Sequence, residues 1–153
     1  VKLLRIFGAA AITAPTASLA GQTVIVTGGT GGIGRSVARS LALLGADVHV
    51  TGRDAATGAR VAAEDHVTFH AVDHADMAET SAFAASMLAQ HDRIDVLVNN
   101  AASMFDNFGR TAEGRERTVA LNLLGCYALT TALLPRLEAS AVGGRVITVV
   151  SAG

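Results

Sequence analysis

The chain has one cysteine, one tyrosine, one lysine and no tryptophan in 153 residues. A lone Cys126 excludes an intrachain disulfide. Its neighbours Leu124, Gly125 and Tyr127 are uncharged, so it reads as a structural thiol on a packed helix rather than a nucleophile. The five histidines (His49, His66, His70, His74 and His91) have no cysteine companions and no metal-ligand spacing, so no metal is expected. Aromatic residues make up only 4%, which leaves the core to aliphatic side chains and alanine. Charged residues make up 16% and the net charge is −1, too little to create a field for nucleic acid or an anionic membrane surface. Solenoid repeats and low-complexity linkers are absent. The apolar stretch in "VKLLRIFGAAAITAPTASLA" is too short and glycine-broken for a membrane span. Residues 1–20 read as a variable lead-in, with a signal or transit remnant as the alternative. A cytoplasmic location is expected, with mitochondrial or membrane-associated placement as alternatives.

What the chain does have is a regular alternation of apolar runs and helical periodicity. "TVIVTG", "DVHVTG", "HVTFHAVD", "IDVLVNN" and "RVITVV" are short apolar runs that predict five buried strands. Between them lie helical stretches: Ile33 to Leu44, closed by Gly45; an alanine-rich segment; Asp76 to His91; and Thr111 to about Ala139, bent near Pro135. Val119, Leu123, Tyr127 and Leu134 form the apolar stripe expected to pack the last of these. Strand and helix in strict alternation predict a parallel sheet with helices on both faces: an α/β, Rossmann-like, doubly wound domain over residues 21–153 with strand order 3-2-1-4-5. In such sheets ligands bind at the carboxyl ends of the strands near the switch point.

"VTGGTGGIG" links the first strand to the first helix, where phosphate binding needs it. A helix N-terminus offers unpaired N–H groups and partial positive charge, and glycines let the backbone approach a pyrophosphate. Three glycine spacings fit this loop: Gly29, Gly31 and Gly34; Gly28, Gly32 and Gly34; or Gly28, Gly31 and Gly34.

Four motifs in order choose among them. Thr27-Gly28-x-x-x-Gly32-x-Gly34, Asn99-Asn100-Ala101, Asn122-x-x-Gly125, and Ser151 after the fifth strand together resemble the short-chain dehydrogenase/reductase family. The stretch "TAEGRERTVALNLLGCYALTTALLPRLEAS" is most similar to its retinol-dehydrogenase-like branch. The resemblance implies an NAD(P)(H)-dependent oxidoreductase whose partners are a nicotinamide dinucleotide and a small carbonyl or alcohol substrate. It implies that Gly28, Gly32, Ile33 and Gly34 line the cofactor phosphates and ribose, beside Thr27. Asp73 matches the aspartate that bonds the adenine amino group. Asn99 and Ala101 match the segment that supports the sheet and borders the cofactor; Ala102 stands where the family has glycine. Asn122 matches the asparagine that holds a water in a proton relay. Ser151 matches the serine that hydrogen-bonds the substrate oxygen.

Cofactor choice turns on "VTGRD". An acid at the end of the second strand would bond an adenosine ribose 2′-OH. Here Thr51-Gly52 is followed by Arg53, and a guanidinium pairs with a phosphate. NADP(H) is therefore expected over NAD(H), with Asp54 as the competing acid.

By the resemblance, a Tyr-x-x-x-Lys pair follows Ser151 by about a dozen residues, where the lysine lowers the tyrosine pKa. That places it outside these 153 residues. The chain is thus expected to be the cofactor-binding half of a C-terminally truncated enzyme, with a non-catalytic dinucleotide-binding module as the alternative. "RVITVV" is expected to lie at a sheet edge, making the chain marginally stable and prone to form a homo-oligomer.

Overall fold

The structure, a computed structural model, describes residues 18–150. The lead-in expected over residues 1–20 falls mostly outside that range, and Ser151 falls wholly outside it. Strands β1 (Thr23–Val26), β2 (Asp47–Gly52), β3 (Thr68–Ala71) and β4 (Val96–Asn99) alternate with helices α1 (Gly32–Leu43), α2 (Ala55–Asp65) and α3 (Met77–Gln90). A helix in three continuous parts follows: α4 (Arg117–Val119), a π-helical stretch (Ala120–Gly125) and α5 (Cys126–Glu138). It leads to β5 (Arg145–Thr148). All neighbouring strands pair in parallel, in the order β3-β2-β1-β4-β5. This is the predicted doubly wound sheet, with its switch point between β1 and β4.

Strand periodicity sorts the core into two layers. Val24 and Val26, Val48 and Val50, and Val96 and Val98 face α1 and α2, where they meet Ala38 and Val61. Ile25 and Leu97 face the other way, onto Phe83 and Met87 of α3 and Leu129, Leu133 and Leu137 of α5. Each of these larger side chains (Val, Ile, Leu, Phe and Met), fully buried, contributes about 1.5–3 kcal/mol. Three of the helices, α2, α3 and α4, start at acidic caps: Asp54 accepts from Thr57 N, Asp76 from Ala78 N and Glu79 N, and Glu116 from Thr118 N and Val119 N.

Two expectations need correction. The long helix starts at Arg117, not at Thr111. Thr111–Arg115 closes into a turn around Gly114, which takes φ +81°. Arg110 then bridges to Glu116, and Glu116 caps the helix. The buried stripe is also a different one. Val119, Leu123, Tyr127 and Leu134 are exposed, while Leu121, Leu129, Leu133 and Leu137 are buried. Both lines have helical spacing, and periodicity alone does not choose between them. Gly125 does, because a Cβ there would lie 2.2 Å from the carbonyl oxygen of His74. The line containing this glycine is the one that can press against the β3–α3 loop. Pro135 sits inside α5 without ending it. β5 lies at the edge of the sheet, with all of its residues exposed.

At the amino ends of the strands, Asp95 is 1% exposed and ties three elements together. Its Oδ2 accepts from Thr23 N at 2.8 Å, and its Oδ1 accepts from Ser140 Oγ at 2.6 Å. Its backbone carbonyl accepts from Arg145 N at 2.9 Å. Asp95→Ala leaves two donors unpaired and should lower the unfolding free energy by roughly 2–4 kcal/mol. The expected readout is a lower urea midpoint with an unchanged slope; an unmoved midpoint would show that these bonds contribute nothing.

Candidate functional site

The carboxyl ends of β1 and β4 are fastened together. Thr27 Oγ1 accepts from Asn100 N at 3.0 Å and from Ala101 N at 2.9 Å. Asn100 Nδ2 donates to the carbonyls of Thr27, at 2.9 Å, and Gly28, at 3.3 Å. Asn99 turns to the opposite face of the sheet, where its Nδ2 donates to Thr130 Oγ1 at 2.9 Å on α5. Sequence reasoning assigned Thr27, Asn99 and Ala101 but passed over Asn100, the side chain that holds the glycine loop. The signal was the asparagine doublet itself, since neighbouring residues of a strand point to opposite faces.

The loop geometry selects one glycine spacing. Gly28 and Gly32 have φ of +65° and +52°, a region open to glycine and costly for other residues. A Cβ on Gly34 would lie 2.4 Å from both Asn100 Nδ2 and the Gly28 carbonyl oxygen, so α1 can approach the β1–β4 junction only with glycine there. Gly31 caps α1 with no side-chain bond, and a Cβ built on Gly31 or Gly32 meets nothing within 4 Å. Open space therefore lies above the first turn of α1.

That space belongs to a cavity of about 530 Å³ lined by Gly28, Gly31, Gly32, Ile33, Gly34, Arg53 and Asp73. A second cavity, of about 510 Å³, lies over Thr27, Asn99, Asn122, Cys126 and Thr148. The two share Ala101, Ala102, Ser103, His74 and Leu121. Burial pushes the Cys126 thiol up, which keeps it protonated.

Asn122 lies in the π-helical stretch, a form that concentrates at functional sites. Its Oδ1 accepts from Ser103 N and its Nδ2 donates to the Ser103 carbonyl, both at 3.0 Å. It thereby holds the peptide that separates the two cavities. Arg53 is exposed and pairs with no acid among the described residues. Asp54 is occupied elsewhere: its Oδ1 accepts from Thr57 N at 2.6 Å as the cap of α2. Asp73 forms a tight turn through Ala75 N at 2.9 Å and lines the first cavity. Gly52 packs under Thr30, whose Oγ1 would lie 2.6 Å from a Cβ on Gly52.

Behind the loop lies a buried relay that no motif announced, because only the fold brings Thr51 to His74. Thr80 Oγ1 donates to the Asp76 carbonyl at 2.9 Å, so it accepts from His74 Nδ1 at 3.2 Å. The His74 proton is thus on Nδ1. Nε2 accepts from Thr51 Oγ1 at 2.9 Å, and Thr51 Oγ1 accepts from Gly28 N at 3.4 Å. Burial pushes His74 down to about 4, so the ring is neutral and the relay runs in one direction.

The sheet order and the crevice at its switch point define a doubly wound α/β protein of Rossmann type. Residues 22–153 match the sequence profile of the short chain dehydrogenase family, and the chain belongs to that family. It is 41% identical over 140 residues to polyprenol dehydrogenase of Mus musculus, covering 87% of this chain and 42% of that protein. It is 36% identical over 155 residues to retinol dehydrogenase 12 of Homo sapiens, covering 97% of this chain and 49% of that protein. The chain therefore spans about half the length of the curated relatives it matches. Among solved structures, a metagenomic short-chain oxidoreductase in complex with NADP superposes with a TM-score of 0.77 at 36% identity. That match covers 90% of this chain and 65% of the other.

The His74 relay makes stability depend on pH. The ring titrates near 6.5 when unfolded and near 4 in the fold, so the unfolded chain takes up the proton first as pH falls. Stability from this group is complete above about pH 6.5 and is lost towards about pH 4, by about 3 kcal/mol in all. His49 and His70 are also held below the usual histidine range by burial and add to the same decline. The informative quantity is therefore a difference. His74→Leu should flatten the fall in unfolding free energy between pH 6.5 and 5, and parallel curves for the two proteins would contradict the assignment.

Proposed function

We propose that this chain binds NADP(H) along the carboxyl edge of its sheet. The whole protein, on this reading, is an oxidoreductase that moves a hydride between the nicotinamide and a carbonyl or alcohol substrate. The observation that carries the reading is the open space above Gly31 and Gly32 at the N-terminus of α1, framed by two glycines of positive φ. The free N–H groups of that helix end suit a pyrophosphate. Arg53 would take the 2′-phosphate, with the rival acid Asp54 already bound to α2. Asp73 would accept from the adenine amino group, and Ile33, Asn99 and Ala101 would border the cofactor. The bound cofactor supplies or accepts the hydride. Ser151 is the proposed partner of the substrate oxygen, where a hydroxyl stabilises developing negative charge. Asn122 is the proposed holder of a relay water. Both polar atoms of its carboxamide already bond Ser103, so a water would use the second lone pair of Oδ1 or the second hydrogen of Nδ2.

A cytoplasmic placement is part of the proposal. The helix Arg117–Glu138 has a stretch of mean hydropathy 1.4, and its Leu129, Leu133 and Leu137 pack on the sheet and α3.

Fluorescence titration of the chain with NADPH and NADH tests the binding half of this reading. NADPH is expected to saturate at lower concentration. Arg53→Glu should cut NADPH affinity about 10-fold or more, the worth of a charge-assisted bond, while leaving NADH binding in place. No saturable binding of either dinucleotide would overturn the cofactor site; an unchanged ratio would remove Arg53 from it.

A further inference from the structure

The opposite end of the sheet carries a cluster that no motif announced. Asp47 opens β2, His49 follows two residues later on the same face, and His91 caps the C-terminus of α3. The two histidines lie 42 positions apart in the chain, so linear spacing hides them; the fold brings them together. One ligand atom from each of Asp47, His49 and His91 lies within 4.8 Å of the others. His49 Nε2 and Asp47 Oδ2 are 3.3 Å apart. A tetrahedral Zn²⁺ with bonds of about 2.0–2.1 Å has donor-to-donor edges of roughly 3.3–3.4 Å, so this pair already stands at the required spacing. The rings of His49 and His91 meet edge to face, with centroids 4.7 Å apart.

Two further observations point to a ligand. His91 Nε2 is buried and has no hydrogen-bond partner among the described residues. Hydrogen bonds join Asp47, His49 and His70 and leave this nitrogen orphaned; a cation satisfies it. The second nitrogen of His49, Nδ1, lies 3.0 Å from His70 Nε2. A metal-bound histidine characteristically uses its other N–H in such a bond, which fixes the tautomer and the ring orientation. Asp47 is the exposed member, with 56% of its side chain open, so the fourth position faces water.

We propose that Asp47, His49 and His91 form a binding site for one divalent transition-metal ion, of the Zn²⁺ class, with His70 orienting His49. Two imidazoles and a carboxylate suit Zn²⁺, Co²⁺ and Ni²⁺ rather than Ca²⁺ or Mg²⁺. The site clamps the start of β2 to the end of α3, at the opposite end of the strands from the glycine loop. It therefore acts on stability and owes nothing to the dinucleotide proposal.

The test uses the tag-free chain, stripped with chelator and titrated with Co²⁺, whose visible absorption reports low-coordinate nitrogen and oxygen ligation. One equivalent of Co²⁺ should build the band, Zn²⁺ should displace it, and both should raise the melting temperature. Asp47→Asn and His91→Gln, on partly exposed side chains, should abolish the band while melting like the stripped wild type. His70→Asn should weaken binding about 10- to 100-fold. His66→Asn, at the exposed αL cap of α2, should leave binding unchanged. Absence of a saturable band in the wild type, or a band that persists in His91→Gln, overturns the proposal.

Discussion

Thr27 Oγ1 receives two backbone N–H groups from the end of β4, and the Asn100 carboxamide returns hydrogen bonds to two carbonyls at the end of β1. This reciprocal fastening fixes where the two central strands stop. The rest of the crevice follows from it. The glycine loop leaves β1 at a set angle, α1 begins where Gly34 can slide beneath Asn100, and the segment from Ala101 to Ser103 is delivered between the two cavities. Asn122 then holds that segment from the helix side. Polar side chains do the joining here because irregular backbone at a strand end has lost its ladder partners, and every buried N–H and C=O still needs one.

How much of this could be read from the chain follows from the range of each signal. The strands, their order and the caps at Asp76 and Gly45 are local or topological consequences of short apolar runs and turn residues, and the sequence carries them openly. The glycine loop was legible as a loop, but three spacings fit it locally; only motifs farther along the chain chose Gly28, Gly32 and Gly34, and the positive φ at Gly28 and Gly32 agrees with that choice. The face of the long helix was misread for a related reason. Two apolar lines share one periodicity, and the deciding contact, Gly125 against His74, joins elements about fifty residues apart. Asn100, His74 and the group around His49 are defined by partners across the sheet, which no window of sequence contains.

The same sheet shows a division of labour between its two faces. One is built of valines packed on α1 and α2. The other mixes Ile25 and Leu97 with His49 and His70, and Phe83 of α3 packs against His70 and against His74 in the β3–α3 loop. Imidazoles fill volume where aromatic carbon is scarce, but unlike phenyl rings they bring nitrogen atoms that must be bonded. Where threonines are at hand, as around His74, the result is a one-directional relay. Beside His49, the Nε2 of His91 finds no such partner among the described residues.

The packing of Thr30 over Gly52 bears on the routes by which this chain can change over evolutionary time. A β-branched threonine has little freedom to swing aside, and its Oγ1 and Cγ2 would both lie within 2.7 Å of any Cβ at position 52. An acid at the end of β2 is therefore epistatically blocked: it becomes accessible only after residue 30 has shrunk. The neighbouring acid, Asp54, cannot be redeployed without uncapping α2. Historical contingency at one small contact thus leaves position 53 as the open route along which selection can retune the charge at this edge of the sheet.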